Sequence, residues 1–425
     1  MPADEGVRMN AITNERTPVA HRLAFAIICT LGLTSAMLFG CSPSQQNPTA
    51  PSEDATDQPL EQAPSAQYVN SAPGLLEGLV VSKDQDFGGI NFSISIDDFN
   101  ACGFAFGDSV DIVFSNGYEL TGIPYYNGYY ANIGDPLLVG YPGYSTIRAA
   151  LSFGDSLWEA SGLSEGDTAT IRLNTADAFH TVQIAHDVAY TNDRTDYASD
   201  EAFANFRACA GGTLAPNVLY RSASPIDNEC NRAPYASALL KQAGVQFVLD
   251  LSDNDDKIDE YAALDEEQGI NVTPFLDLRN TGNVALLNLT ANYSSDEFKQ
   301  SLAQGLIEMT QHDGPYLVHC VEGKDRTGFV CLLLEALCGA SYDELAADYM
   351  ASYANYYGIT KDSDPDRYDA IRDLNFDGML RYLANVDDQA DLQSIDYAEP
   401  ARYYLRQGGM TNEQINALRN KLIAQ

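Results

Sequence analysis

The densest concentration of reactive side chains in the chain is H-C-V-E-G-K-D-R-T-G, His319 to Gly328. It lies between a short apolar run, Tyr316 to His319, and a long one, Thr327 to Cys338, that stops at Gly339. This pattern predicts a buried strand, a tight loop and a helix. A loop ending at a helix N-terminus turns several unpaired N–H groups into one small space, and the helix dipole adds positive potential there. Gly323 lets the backbone turn tightly. Arg326 offers a planar fork that can hold two phosphate oxygens at once, and Lys324 adds another cation. Such a nest suits a dianion. Cys320 sits at its base, where the same donors favour thiolate over thiol. The thiolate can attack a phosphorus atom held in line above it, while the loop N–H groups and Arg326 stabilise the equatorial oxygens. A phosphocysteine would form and water would hydrolyse it, with no metal or other cofactor required. A nucleotide-binding P-loop does not fit, because Gly323-Lys324 is followed by Asp325 and the upstream glycine is missing.

The elements that must position this loop begin near residue 200, where strands and helices alternate. Pro234 to Ala243 reads as a helix stopped by Gly244, and Val245 to Leu251 as a short apolar strand. Ile258 to Gln268 reads as a helix stopped by Gly269, and Asn271 to Phe275 as a strand or its edge. Ser294 and Glu297 form a capping box before Phe298, Leu302, Leu306 and Met309, which recur at helical spacing. Beyond 341 the chain reads as all-helical, with Thr411 and Gln414 capping the last helix. The order predicts an α/β domain, a mostly parallel central sheet flanked by helices with a helical C-terminal tail. Cys331 and Cys338 share a helical face and read as core. Cys209 and Cys230 could pair in an oxidising space, and Arg221 and Arg232 could reach phosphate or pair with acids.

Cys-x5-Arg followed by Thr-Gly, with His before the Cys, resembles the signature of the cysteine-dependent protein tyrosine phosphatases. The form at His319–Gly328 is similar to that of a secreted bacterial tyrosine/dual-specificity branch. Asn217 to Pro225 (N-V-L-Y-R-S-A-S-P) resembles that family's entry strand, Thr273 to Leu278 (T-P-F-L-D-L) its general-acid segment, and Ala346 to Met350 and Arg402 to Gln414 its helical tail. The resemblance covers residues 200–425. It implies Cys320 as nucleophile, Arg326 as phosphate and transition-state ligand, and Val321, Glu322, Gly323, Lys324, Asp325 and Arg326 as the N–H cradle. It further implies that His319 supports the ionised Cys320 and that Thr327 donates to the leaving thiolate. Asp277 matches the general-acid position, with Asp253, Asp255, Asp256 and Asp325 as alternatives, since a general acid needs only reach of the leaving oxygen. The substrates implied are phosphotyrosine protein or peptide. Lys324 keeps phosphoinositides and inositol polyphosphates open, and a non-catalytic phospho-ligand or adhesion module is the other alternative.

The rest of the chain is organised differently. Arg8, Arg16 and Arg22 precede an apolar run from Leu23 to Phe39 that ends in L-F-G-C at Cys41. This resembles a lipoprotein signal peptide over residues 1–40, with Cys41 lipidated and the protein anchored on the extracytoplasmic face of a bacterial membrane. An uncleaved apolar anchor is the alternative. Residues 41–73 read as a flexible tether, residues 42–73 holding six of the 18 prolines. Residues 74–192 read as a small β-rich domain, a sandwich or barrel, from the alternation of Ile90 to Ile96, Val110 to Phe114 before Asn116-Gly117, and Thr168 to Leu173. The tyrosines of Gly122 to Tyr130 read as hairpin packing and rim tyrosines, with an aromatic binding surface as the alternative, and His180 and His186 lack metal-ligand neighbours. With 60 acids against 24 bases the net charge is −36. That excludes a general nucleic-acid binder and argues against electrostatic docking of the body on anionic lipid.

Overall fold

The computed structural model describes residues 68–85 and 87–423. The apolar run, Cys41 and the tether up to residue 67 lie outside the described residues. Part of the expected tether is ordered: Val69–Ala72 forms strand β1, antiparallel to β2 (Leu75–Lys83).

The β-rich region is a closed barrel. Its strands are β2, β3 (Ile90–Phe92), β4 (Ser109–Phe114), β5 (Glu119–Tyr126), β6 (Pro136–Val139), β7 (Arg148–Leu151) and β8 (Thr168–Thr175). They run β2-β3-β7-β6-β5-β4-β8, and β8 pairs back onto β2, with β1 appended. The β5–β6 pair is parallel and the other pairs are antiparallel. Alternate side chains fill the interior, among them Leu79, Val81, Val110, Ile112, Leu138 and Ile171. Asn116 and Gly117 do make the β4–β5 turn, Gly117 at φ 90°. The expected strand Ile90–Ile96 is shorter than its alternation: Ser95 caps the Asp98 N–H and starts helix α1 (Ile96–Ala101). Helices α2 (Leu157–Ser161) and α3 (His180–His186) complete the region. His186 spends its Nδ1 on the Val182 carbonyl and stacks on Tyr130.

After α4 (Asp200–Phe203) comes a five-stranded sheet: β9 (Arg207–Ala208), β10 (Leu219–Ser222), β11 (Phe247–Asp250), β12 (Val284–Leu286) and β13 (Tyr316–His319). The order is β12-β11-β13-β10-β9, parallel except for the edge strand β9. β13 is central, and its side chains alternate between two cores. Tyr316 and Val318 join the core under α8 (Asp296–Met309), α9 (Asp325–Leu337) and the C-terminal helices. Leu317 joins the core under α5 (Ala233–Gln242), α6 (Asp255–Gln268) and α7 (Thr273–Asn280). Helix α9 is buried from Thr327 to Leu337, which explains its unbroken apolarity. The tail is α10 (Tyr342–Tyr357), α11 (Pro365–Ile371), α12 (Asp377–Ala384), α13 (Ala398–Gln407) and α14 (Asn412–Leu422), the last with the expected Thr411–Gln414 capping box.

Two local expectations are corrected. Asn271–Phe275 is not a strand: Pro274 occupies the first turn of α7, where its missing N–H costs nothing. The cap of α8 is Ser295, which accepts from Phe298 N–H, not Ser294.

Candidate active site

Strand β13 delivers the loop at the C-terminal edge of a parallel sheet, where open α/β sheets place ligands. Residues 320–324 connect it to α9. Gly323 has φ +67°, and a Cβ there would lie 2.1 Å from the Ser222 carbonyl oxygen, so only glycine fits. The loop carbonyls are turned into protein donors. Ser224 N–H reaches Val321 O at 2.9 Å, Tyr356 OH reaches Glu322 O at 2.7 Å, and Arg221 Nη2 reaches Gly323 O at 2.9 Å. Asn205 Nδ2 donates to both Glu322 O and Gly323 O. With the carbonyls committed, the backbone N–H groups of residues 321–327 donate to no protein acceptor among the described residues. This is the donor set of an anion nest.

Cys320 is a free thiol, 3% exposed, at the first position of the loop. Arg326 is fixed by one Nη1 bond to the Leu289 carbonyl, 2.9 Å. Its remaining donors meet no protein acceptor among the described residues. His319 is fully buried, with Nδ1 3.4 Å from the Cys320 carbonyl and Nε2 3.6 Å from Asp250. Burial lowers its pKa to about 4, so it is a neutral imidazole at neutral pH. Thr327 is buried and its Oγ1 has no protein partner among the described residues. Lys324 contributes its backbone N–H but not a free cation. Its ammonium lies 2.7 Å from Asp325 and 3.7 Å from Glu322, over the Tyr353 ring.

Asp277 lies on the exposed side of α7. On α7 the buried Phe275 meets the His319 ring at 5.9 Å, and Asp277, two residues on, is exposed about 200° around the helix. Asp255 and Asp256 are exposed in the first turn of α6. Asp253 is buried close to His319, the residue before Cys320. Asp250 is in register with His319, Leu251 N–H reaches His319 O, and the Asp253 carbonyl accepts from Asn288, the neighbour of Leu289 that anchors Arg326. Burial and the adjacent Asp250 charge raise the Asp253 carboxyl to about 6. Its Oδ1 has no hydrogen-bond partner among the described residues, and Lys257 lies 3.8 Å away.

A buried ion cluster braces the loop from beneath. Arg221, which holds Gly323 O, also pairs with Asp348, and Arg207 reaches the other Asp348 oxygen at 2.8 Å. Arg221 therefore pairs with an acid, as one of its two expected roles had it. Cys209, Glu335 and Asp348 each bring a ligand atom within 4.8 Å of the others. Both Asp348 oxygens are taken by guanidinium, so the group acts as a brace. Cys209 stays a free thiol, hydrogen-bonded to the free thiol of Cys331, and the Cys209–Cys230 disulfide does not form. Arg232 takes neither role foreseen for it: it lies among aromatic rings and donates to carbonyls, an amide and a phenol.

A cleft of about 2630 Å³ runs from Tyr129, Tyr130 and Tyr144 of the barrel to Lys324 and Asp325 at the loop. Tyr125 and Tyr126 do pack in the barrel as the hairpin reading had it, but Tyr129 and Tyr130 line this cleft.

A buried free thiol opens a loop whose N–H groups are unspent, and Arg326 follows on the next helix, an arrangement suited to holding an anion. The model of the tyrosine phosphatase family matches residues 201–424, more than half of the chain, and the chain belongs to that family. A Cupriavidus necator protein with a tyrosine-protein phosphatase name is 28% identical over 195 residues, 42% of this chain and 67% of that one. A Nostoc commune tyrosine-protein phosphatase is 39% identical over 72 residues, 17% of this chain and 24% of its own length. Among solved structures, the core catalytic domain of a PP-IP phosphatase from S. cerevisiae is 16% identical with a TM-score of 0.23, covering 42% of this chain and 94% of that one.

Proposed function

We propose that the protein hydrolyses phosphate monoesters, phosphotyrosine in proteins or peptides above all, through a phosphocysteine on Cys320. The observation that carries this reading is the loop itself: carbonyls turned out, N–H groups of 321–327 unspent, and Arg326 held by a single bond. The Cys320 thiolate attacks phosphorus as the bond to the leaving oxygen breaks. Asp253, not Asp277, gives that oxygen its proton. The N–H groups and Arg326 hold the three equatorial oxygens. Water then attacks the phosphocysteine, Asp253 takes back a proton, and the P–S bond breaks to give inorganic phosphate and the thiolate. Neutral His319 orients the Cys320 backbone, and Thr327 Oγ donates to the departing thiolate.

The chain is further proposed to belong to the exported branch, lipidated at Cys41 and facing away from the cytoplasm. The supporting feature is the L-F-G-C motif after an apolar run.

Turnover of p-nitrophenyl phosphate and a phosphotyrosine peptide, measured in a chelator, tests the chemistry. Cys320→Ser should abolish both, and acid quench of the wild type should trap labelled phosphate on the protein. Full activity in Cys320→Ser would sink the mechanism.

A further inference from the structure

The segment joining barrel to phosphatase unit is built into the catalytic loop. After α3 the chain crosses residues 187–199 and is pinned by Arg232, which is 1% exposed. Its guanidinium donates to Thr191 O, Asn192 Oδ1 and Tyr197 OH, and lies against the rings of Tyr190, Phe203 and Tyr356. A buried guanidinium held by rings and carbonyls fixes the segment with no ion pair among the described residues. Tyr190 is thereby set beside Tyr356 at 4.9 Å, and its hydroxyl donates to Glu322 Oε1 at 2.7 Å. The other Glu322 oxygen faces Lys324 at 3.7 Å, and Lys324 meets Asp325 at 2.7 Å. Tyr190, Glu322, Lys324 and Asp325 form one chain of contacts along the rim of the nest.

The electrostatics of that rim are unusual for a phosphate site. Two carboxylates bracket one ammonium, so these side chains carry a net negative charge on the same loop whose N–H donors are arranged for a dianion. The nest and Arg326 can hold one phosphate. A second phosphate on the same substrate would meet the rim, where Lys324 is already engaged and two carboxylates repel it. Glu322 also needs restraint. A carboxylate free to swing over the nest would compete with the incoming phosphate for its field, and the Tyr190 hydroxyl removes that freedom.

We propose that Tyr190 is a positioning residue for specificity. By holding Glu322, and through it Lys324, it keeps an acidic rim that admits a single phosphate monoester on a neutral or cationic carrier and turns away substrates with neighbouring phosphates. This rests on the phosphatase reading and narrows its substrate class, away from inositol polyphosphates.

The test uses the full-length protein with p-nitrophenyl phosphate, a singly phosphorylated tyrosine peptide, the same peptide with an adjacent phosphoserine, and inositol hexakisphosphate. The wild type should favour the single phosphopeptide over its doubly phosphorylated form by about tenfold in kcat/KM, and Glu322→Gln should erase most of that preference. Tyr190→Phe keeps the ring. It should raise KM for the single phosphopeptide about 3- to 10-fold with kcat within about twofold. Adding Glu322→Gln should return KM to the Glu322→Gln value, a rescue that a merely structural tyrosine would not show. An unchanged KM in Tyr190→Phe, or a preference intact in Glu322→Gln, overturns the proposal while p-nitrophenyl phosphate turnover leaves the phosphatase reading standing. Wild-type failure on every substrate overturns both.

Discussion

The acid assignment turns on how single carboxyls are housed. Asp253 is buried and faces Asp250 and His319 from its own sheet, Lys257 from α6, and Asp227 nearby. Desolvation and the Asp250 charge both oppose ionisation and raise its pKa to about 6. A raised acid pKa means the protonated, donating form is present below about 6 and is lost as pH rises through that value. The kcat for a poor leaving group such as phosphotyrosine should therefore fall on the alkaline side of about pH 6. Asp253→Asn should lower that kcat about 10²- to 10⁴-fold and remove this limb, with a smaller loss on p-nitrophenyl phosphate. Asp277→Asn should behave as wild type, and a pH limb that vanished with Asp277 instead would return the role to α7. The loop was legible in the sequence because its residues are consecutive and their chemistry is local. The choice of acid was less legible: the sequence offered Asp277 first and Asp253 among the alternatives, and the features that favour Asp253 in the proposal, the Asp250–His319 register and a helix at 273–280, are not announced by a T-P-F-L-D-L string.

At the scale of elements, the loop keeps its shape because β9, β10 and α10 are tied through Asp348 on α10. That carboxylate pairs with both Arg207 and the wholly buried Arg221, and Arg221 donates to the Gly323 carbonyl. Removing one partner of a buried pair leaves charge stranded in low dielectric, which costs far more than the pair is worth. Asp348→Ala should destabilise the phosphatase unit by about 3–5 kcal/mol and cripple turnover through the loop, although Asp348 is far in sequence from Cys320. Urea unfolding followed by tyrosine near-ultraviolet dichroism and by activity measures this. The single tryptophan, Trp158, lies in α2 of the barrel and reports that region separately. Midpoints within error of the wild type would remove the brace from the account. Periodicity foresaw most of these helices, since α8 and α9 bury their apolar positions as read. It could not foresee the brace, because nothing local marks Arg221, Asp348 and Tyr190 as neighbours of one loop.

For the whole molecule, charge and anchoring have to be considered together. Acids and bases balance in residues 1–40, three of each, so a chain cleaved before Cys41 keeps the full −36. A body of that charge is repelled by anionic lipid at every ionic strength low enough for the field to extend beyond a Debye length of about 8–10 Å. The proposed membrane residence would then come from the N-terminal region. The two candidate devices differ in one atom's chemistry: acyl chains on the Cys41 sulfur, each buried CH₂ contributing about 0.8 kcal/mol, or the uncleaved apolar run Leu23–Phe39, which needs no cysteine. Cys41→Ser separates them. The lipidated form predicts that the variant loses palmitate label and is no longer anchored by acyl chains, while a released body lacking residues 1–41 shows no binding to anionic vesicles even at low salt. Wild-type protein without label, with Cys41→Ser equally membrane-bound, would assign anchoring to the apolar run. Vesicle binding by the released body would mean that a local patch overrides the net charge.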